Sequence, residues 1–489
     1  MSQKKKNIII LIGVVQLMLI IGIANLPYIL ENFVPGRYRL HLPDFINNTL
    51  GKREEQIRLS SIDSDESVAV AAIGLLSDLD LSSEAESEAE TKTEDPTPTS
   101  TPVPIIEAAD VTQAAETLQP TAIEVPVETN TPTPIPPTAT PAPSPTPLPL
   151  NHQVIGLVNE PQEYNNCGPT NLSIMLRYYG DSTTQLEAAA YLKPNPEDRN
   201  VSPWQISDYV NEFTNLRSIT RSNGNQELLR ELVASGFPVV IEKGYDPISA
   251  NSSGWYGHYL TVFGYDLAKE EYNTIDTFLG PFTNKDVKEA GYTLEDGYIY
   301  SFDYVANYWQ QFNYTFYIVY EPQREAELYA ILGDEFVLSE ENWKSAALRA
   351  QKEAEAEPEN AYAWFNLGTS LTELGKRTKV KEHYQKAAVA YDQAFTLGLP
   401  SRMLWYQHGP FFAYNETGRH QDALDLADRT LVDAGGRTIE EVWLHKGHTL
   451  SYMQDFEGAL VAYNQALRLN EFFYPAQSGK DYMEFVLGG

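Results

Sequence analysis

Pro161-Gln162-Glu163-Tyr164-Asn165-Asn166-Cys167-Gly168-Pro169-Thr170 contains the only cysteine of a 489-residue chain and runs directly into a helical pattern. Leu172, Met175, Leu176 and Tyr179 recur at helical spacing, Asn165 or Asn166 stands where a first turn is capped, and Gly180 closes the run. Cys167 is therefore expected at a helix N-terminus. There, unpaired backbone N–H groups and the positive end of the helix dipole favour thiolate, lowering a cysteine from about 8.5 into a range of roughly 3.5 to 7.5 when a histidine joins. A free cysteine at the start of a core helix is more often buried and inert, so the reading depends on a partner.

Downstream, Phe237 to Ile241 reads as a buried strand and His258 opens a second one, ending at Tyr265. Glu271 to Asp276 reads as a third, and the polar Asp266 to Glu270 between them predicts an antiparallel hairpin turning near Leu267. With that centre, His258 and Asp276 are equidistant from the turn and become cross-strand neighbours, so Asp276 can orient the imidazole. Asp266, the rival carboxylate, lies roughly 25 Å from His258 along an extended strand and belongs to the turn. A thiol at a helix start and a His–Asp pair on a hairpin are the parts of a nucleophile, base and orienter system. Gln162 adds a side-chain N–H which, with the backbone N–H of Cys167, can meet a developing oxyanion.

Gln162, Cys167-Gly168-Pro169, Tyr178-Tyr179-Gly180, Gly257-His258-Tyr259 and Gly264-Tyr265-Asp266, in this order and spacing, resemble the bacteriocin-processing (double-glycine leader peptidase-like) family of papain-like cysteine peptidases over about 151–322. The resemblance implies an α+β papain-like domain with Cys167 as nucleophile, His258 as general base and acid, Asp276 as orienter and Gln162 as oxyanion donor. Relatives usually place proline after the triad aspartate, where this chain has Thr277. The best-known relatives trim leader peptides as cytoplasmic domains of ABC exporters. That substrate is not carried over to a chain with one expected membrane span, no phosphate-binding Gly-rich loop and the opposite expected sidedness.

Lys4, Lys5 and Lys6 form a basic tail over 1–6, and the apolar run that follows predicts a transmembrane signal-anchor helix over 7–30, N-terminus cytoplasmic and the rest extracytoplasmic. A cleaved signal peptide is the alternative. Residues 31–82 are a juxtamembrane region in which Val68 to Leu76 is the one apolar stretch. From 83 to 150 the chain is first acidic and then Thr/Pro-rich; half of the residues from Pro132 to Pro149 are proline, which predicts a disordered spacer.

Beyond Pro322, over 323–489, the chain becomes self-similar. Trp364, Leu367, Gly368 and Leu371 recur as Trp405, His408, Gly409 and Phe412, then as Trp443, Lys446, Gly447 and Leu450. Ala387, Tyr391 and Ala394 recur as Ala459, Tyr463 and Ala466, with Ala423 and Ala427 in the middle copy. This is similar to the tetratricopeptide repeat, an all-α solenoid of helix pairs, with an insertion around Lys376 to Glu382 and a degenerate capping copy over about 325–358. Such arrays bind peptides or partner proteins.

A net charge of −32 excludes a nucleic-acid partner, because phosphate contacts need clustered Lys and Arg. One cysteine excludes disulfides and thiolate metal clusters; His445 and His448 share a helix face but have no evident third ligand, so no cofactor or metal is expected. Tyr304, Tyr308, Trp309, Tyr314 and Tyr317 are read as core packing of late strands, with a carbohydrate or peptide cleft as the alternative. The expectation is a bacterial, membrane-anchored thiol hydrolase for peptide or amide bonds, whose repeats hold a protein partner. The alternative is a surface scaffold whose papain-like domain binds without turnover.

Overall fold

The computed structural model describes residues 65–79, 147–245, 254–278 and 297–488. The expected membrane helix and most of the expected spacer lie outside them. No helix among the described residues is long and apolar enough to cross a membrane.

Residues 151 to 320 form a mixed α/β region around an antiparallel sheet of seven described strands: β1 (Asn151–Gln153), β2 (Arg217–Arg221), β3 (Val239–Tyr245), β4 (Tyr256–Asp266), β5 (Glu271–Ile275), β6 (Tyr298–Ser301) and β7 (Phe316–Tyr320). Their order is β2-β7-β3-β4-β5-β6, with β1 on the end of β4. Apolar residues occupy both faces. Val240, Tyr259, Tyr317 and Val319 meet Leu172, Met175, Ile206 and Val210 on one side. Val239, Ile241, Leu260, Val262 and Ile318 meet Leu229, Val233 and Trp309 on the other. Near-continuous hydrophobic runs follow from such two-sided burial.

From Glu325 onward the chain is helical: α7 (Glu325–Val337), α8 (Ser339–Ala356), α9 (Ala361–Thr378), α10 (Lys381–Leu397), α11 (Gly409–Glu416), α12 (His420–Val432), α13 (Glu440–Tyr452), α14 (Phe456–Leu469) and α15 (Tyr474–Gly488). The earlier described helices are α1 (Asp65–Asp78), α2 (Cys167–Tyr178), α3 (Gln185–Leu192), α4 (Pro203–Phe213), α5 (Gln226–Ala234) and α6 (Phe302–Gln310). Adjacent helices stack where small residues meet aromatics: a Cβ on Gly368 or Gly447 would come within 2.7 Å of the Tyr391 ring or 2.5 Å of the Tyr463 ring. The residues around Lys376 to Glu382 lengthen α9 and start α10 rather than forming a loop.

Two expectations for the repeats are corrected. The middle copy has no continuous first helix: Ser401–Trp405 is a separate 3-10 turn and α11 begins at Gly409, because Pro410 has no N–H for a preceding turn and fits the first turn of a new helix. In the degenerate copy, α7 buries Leu328, Leu332 and Phe336 in the core beneath the sheet, so this helix completes the mixed domain rather than capping the array. Val68 to Leu76 lies within α1, which packs Ala72 and Leu75 into the repeat core.

The two regions share an interface. Trp255 and Phe312 pack into the same apolar cluster as Met403 and Trp405. Asn366 Nδ2 donates to the Gln310 carbonyl at 2.7 Å and Asn313 Nδ2 to Ser370 Oγ at 2.9 Å.

Candidate active site

Cys167 is the first residue of α2. Asn166 holds the N-cap position without a side-chain cap, and Asn165, at φ 57°, donates instead to the carbonyls of Pro196 and Glu197 at 3.4 and 3.3 Å. Neither asparagine caps the helix, so its first amides remain available. The loop before Cys167 is held by Gln185, whose Oε1 accepts from Glu163 N and Thr170 Oγ1, both at 2.8 Å. Gly168 permits close approach to the sheet: a Cβ there would lie 3.3 Å from both Tyr259 and Val201.

Asn171 ties this helix to the hairpin. Its Nδ2 donates to the Cys167 carbonyl at 2.9 Å, and its Oδ1 accepts from Thr261 Oγ1 at 2.7 Å. Buried and fully engaged, it fixes the helix start against β4.

His258 and Asp276 meet at 2.9 Å, Nε2 to Oδ1, both buried. The strand register differs from the expected one. Asp266 pairs with Glu271, leaving a four-residue turn, and a bulge between Val262 and Gly264 makes Thr261 pair with Ile275. Asp276 thus lies diagonal to His258, within reach of long side chains, rather than directly opposite. Asp276 Oδ2 accepts from the Tyr300 hydroxyl at 2.9 Å, and Oδ1 also accepts from the Phe278 amide at 3.2 Å. With Nε2 engaged by Asp276, the other ring nitrogen of His258 is left for the hydrogen bond to Cys167.

The charges reinforce one another. Burial alone would push the Cys167 thiol up, but the hydrogen bond and charge of His258, aided by the Tyr259 and Gly168 amides, hold it below its ordinary value. Burial would likewise pull His258 down, but the Asp276 carboxylate and the Cys167 sulfur raise it to about 9. Asp276 is held at about 2 against its burial by His258, by Lys243 and by the Tyr300 hydroxyl. Opposite charges in close contact favour the ionised forms of both partners. The lowered thiol and the raised imidazole both favour a thiolate facing an imidazolium.

Gln162 reaches the site through Thr277. Its backbone N donates to the Thr277 carbonyl at 2.9 Å, and its Oε1 accepts from Thr277 Oγ1 at 2.9 Å, leaving the carboxamide NH2 as the free donor. The cleft beside Cys167 is lined by Cys167, Arg199, Glu242, His258, Tyr259 and Tyr406, among others.

Arg199, Glu242, Lys243, Tyr300 and Tyr406 escaped the sequence reading. Glu242 and Lys243 directly continue the apolar run ending at Ile241, a signal that could have singled them out. Lys243 is fully buried, donates to the Gly244 carbonyl at 3.1 Å and sits about equally from the rings of Tyr245, Tyr304 and Tyr308, at 5.1, 5.2 and 5.3 Å. Burial pulls it down to about 8, while the Asp276 charge acts the other way. Tyr304 and Tyr308 therefore flank a cation, whereas Trp309, Tyr314 and Tyr317 are core residues. Tyr406 comes from the repeat array, directly after Trp405 of the repeat pattern. No group of three or more His, Cys, Asp or Glu among the described residues could hold a metal ion.

Residues 151–316 match the model of the Peptidase_C39 like family, and residues 440–473, spanning α13 and α14, match the tetratricopeptide repeat. The chain therefore joins a C39-peptidase-like domain to tetratricopeptide-type repeats. No curated protein matches the chain.

Proposed function

We propose that the protein is a cysteine hydrolase of peptide or amide bonds. The observation that carries the reading is the continuous Cys167–His258–Asp276 chain, in which the thiol is held below its ordinary value and the imidazole above it. In this reading the Cys167 thiolate attacks the carbonyl carbon, and the Cys167 backbone N–H and the Gln162 carboxamide receive the oxyanion. Collapse to the thioester expels the amine, which takes the proton from His258. Water then attacks the thioester, giving its proton to His258, and the carboxylic acid leaves with the thiolate restored. Asp276 keeps the ring oriented throughout, and Tyr300 fixes Asp276.

The reading extends to the parts around the site. The repeat array forms one wall of the cleft and takes a protein partner, and the basic, then apolar N-terminus anchors the chain with both regions extracytoplasmic. The scaffold alternative is favoured by the tight packing beside His258, where a Cβ on Gly257 would meet Phe312 at 2.8 Å and Tyr406 at 3.0 Å.

The deciding experiment incubates the full chain in mild detergent with a diverse peptide mixture in 18O-labelled water. New C-terminal carboxylates carrying the label, absent with Cys167→Ala, are the expected result. A reactive Cys167 without any Cys167-dependent product leaves the binding scaffold as the function.

A further inference from the structure

We propose that the cleft beside Cys167 reads a carboxylate on the substrate, with Arg199 as the recognising group; this rests on the hydrolase reading above and names a chemical feature of its substrate. Arg199 lines the same cleft as Cys167 and His258. Its guanidinium lies over the Trp405 ring at 5.0 Å, hydrogen-bonds to the Tyr164 hydroxyl and faces Tyr256 and Tyr406. None of the described carboxylates pairs with it, although the chain carries 67 acidic residues against 35 basic ones.

The two acids nearest in sequence are engaged elsewhere. Glu197 Oε2 accepts from Tyr164 at 3.1 Å, and Asp198 Oδ1 accepts from the Asn200 amide at 3.0 Å. Glu242, the acidic residue of the cleft, is buried beside the Cys167 sulfur, and burial with the Cys167 charge holds its carboxyl well above the usual carboxylate range. That direction favours its neutral form, which neither neutralises Arg199 nor repels an incoming anion. A guanidinium stacked on an aromatic face keeps its edge donors free, and that edge matches a carboxylate with two parallel hydrogen bonds.

The position of Arg199 is set by the repeat array. Asn200 Nδ2 donates to Glu441 Oε1 at 3.2 Å, Thr438 Oγ1 to the Glu197 carbonyl at 3.0 Å, and Asn195 Nδ2 to the Thr438 carbonyl at 3.3 Å. A Cβ on Gly435 would stand 2.8 Å from Arg199 Nη1, so the backbone there makes room for the guanidinium. The carboxylate belongs either to an acidic side chain next to the scissile bond or to the end of the substrate chain.

With one cysteine per chain, alkylation is read unambiguously by intact mass. The full chain is treated at about pH 6.5 with iodoacetate, which carries a carboxylate, and with neutral iodoacetamide. Arg199→Gln is expected to lower the iodoacetate-to-iodoacetamide rate ratio about tenfold, while Arg429→Gln, which removes an exposed charge on α12, shifts it less than about twofold. Arg199→Lys, which keeps the charge and loses the planar fork, is expected to give an intermediate ratio and covers the case of a poorly folded Gln variant. N-iodoacetyl-glutamate α-amide and N-iodoacetyl-glutamine then identify the source: Arg199-dependent acceleration of the first assigns a side chain, and of the second a chain terminus. Rapid iodoacetamide labelling with the same ratio in wild type, Arg199→Gln and Arg199→Lys overturns the inference and leaves the hydrolase reading standing. Slow iodoacetamide labelling of the wild type overturns both.

Discussion

Replacing His258 with alanine removes both the hydrogen bond and the charge that hold the Cys167 thiol down. What remains is burial, the largest influence on this thiol and one that returns the proton, opposed only by the Tyr259 and Gly168 amides. The thiol then behaves at best as an ordinary one. An ordinary thiol, at about 8.5, is roughly 1 % ionised at about pH 6.5, so each unit by which His258 lowers it gives up to about tenfold more thiolate. A less basic thiolate is also a weaker nucleophile, by about half a log unit per unit of pKa, so the net gain is roughly threefold per unit. The net expectation is an alkylation rate by iodoacetamide that is several-fold lower in His258→Ala at about pH 6.5, the gap closing by about pH 9, where an ordinary thiol is itself ionised. The assay is timed quenching and intact-mass counting of a single adduct. Superimposable pH profiles for the two proteins, or wild-type labelling that rises only through about pH 8.5, would refute the reasoning, because the imidazole would then not be acting on the sulfur.

Asp276→Asn removes the charge that raises His258 to about 9, so the alkaline limb of kcat/KM is expected to move down toward the ordinary imidazole value near 6.5. In melting experiments, the wild-type advantage from a raised histidine is present in full below about pH 6.5 and is lost as pH rises through about 9, a trend that should be absent from the variant. Thr277→Val removes the hydroxyl that holds Gln162 Oε1 and is expected to lower kcat about tenfold with KM little changed, as read by steady-state kinetics; an altered KM alone would point to ground-state binding. Glu441, with Asp198, Glu440 and Lys193 around it, has its carboxyl pushed well above the usual range by burial and by the Glu440 charge. Its proton is held more tightly in the folded chain, so ionisation costs stability as pH rises above the carboxylate range. Glu441→Gln is therefore expected to raise Tm at neutral pH and leave it unchanged near pH 4.

The helix start and the hairpin were legible because their signals are local. A 3.6-residue period after Cys167 and a polar break between two apolar runs both lie within a few residues of what they determine. The error in register came from two features that short-range pattern does not encode. Asp266 and Glu271 belong to the strands, which moves the turn centre beyond Leu267, and the bulge at Gly264 reverses part of that shift. The mistake was harmless to the His258–Asp276 pair because a carboxylate two positions along the partner strand is still within reach of an imidazole. Asn capping failed for a different reason: Asn165 has carbonyl partners at Pro196 and Glu197 that only the tertiary fold supplies.

The cleft itself was illegible because its walls are contributed from distant parts of the chain. Arg199 follows α3, Glu242 continues a buried strand, and Tyr406 ends a 3-10 turn in the repeats. Periodicity assigns each a local role and gives no sign that they converge. The physical consequence concerns how the two regions work together. The loop carrying Arg199 is fastened by Thr438 and Glu441, Leu328 and Phe336 of α7 complete the core beneath the sheet, and Tyr406 hydrogen-bonds with the Gly257 backbone beside His258. An array bound so closely is not a detachable adaptor. Thr438 and Glu441, on either side of the start of α13, hold the Arg199 loop through Asn195, Glu197 and Asn200, so a displacement of α13 relative to the sheet acts on that loop.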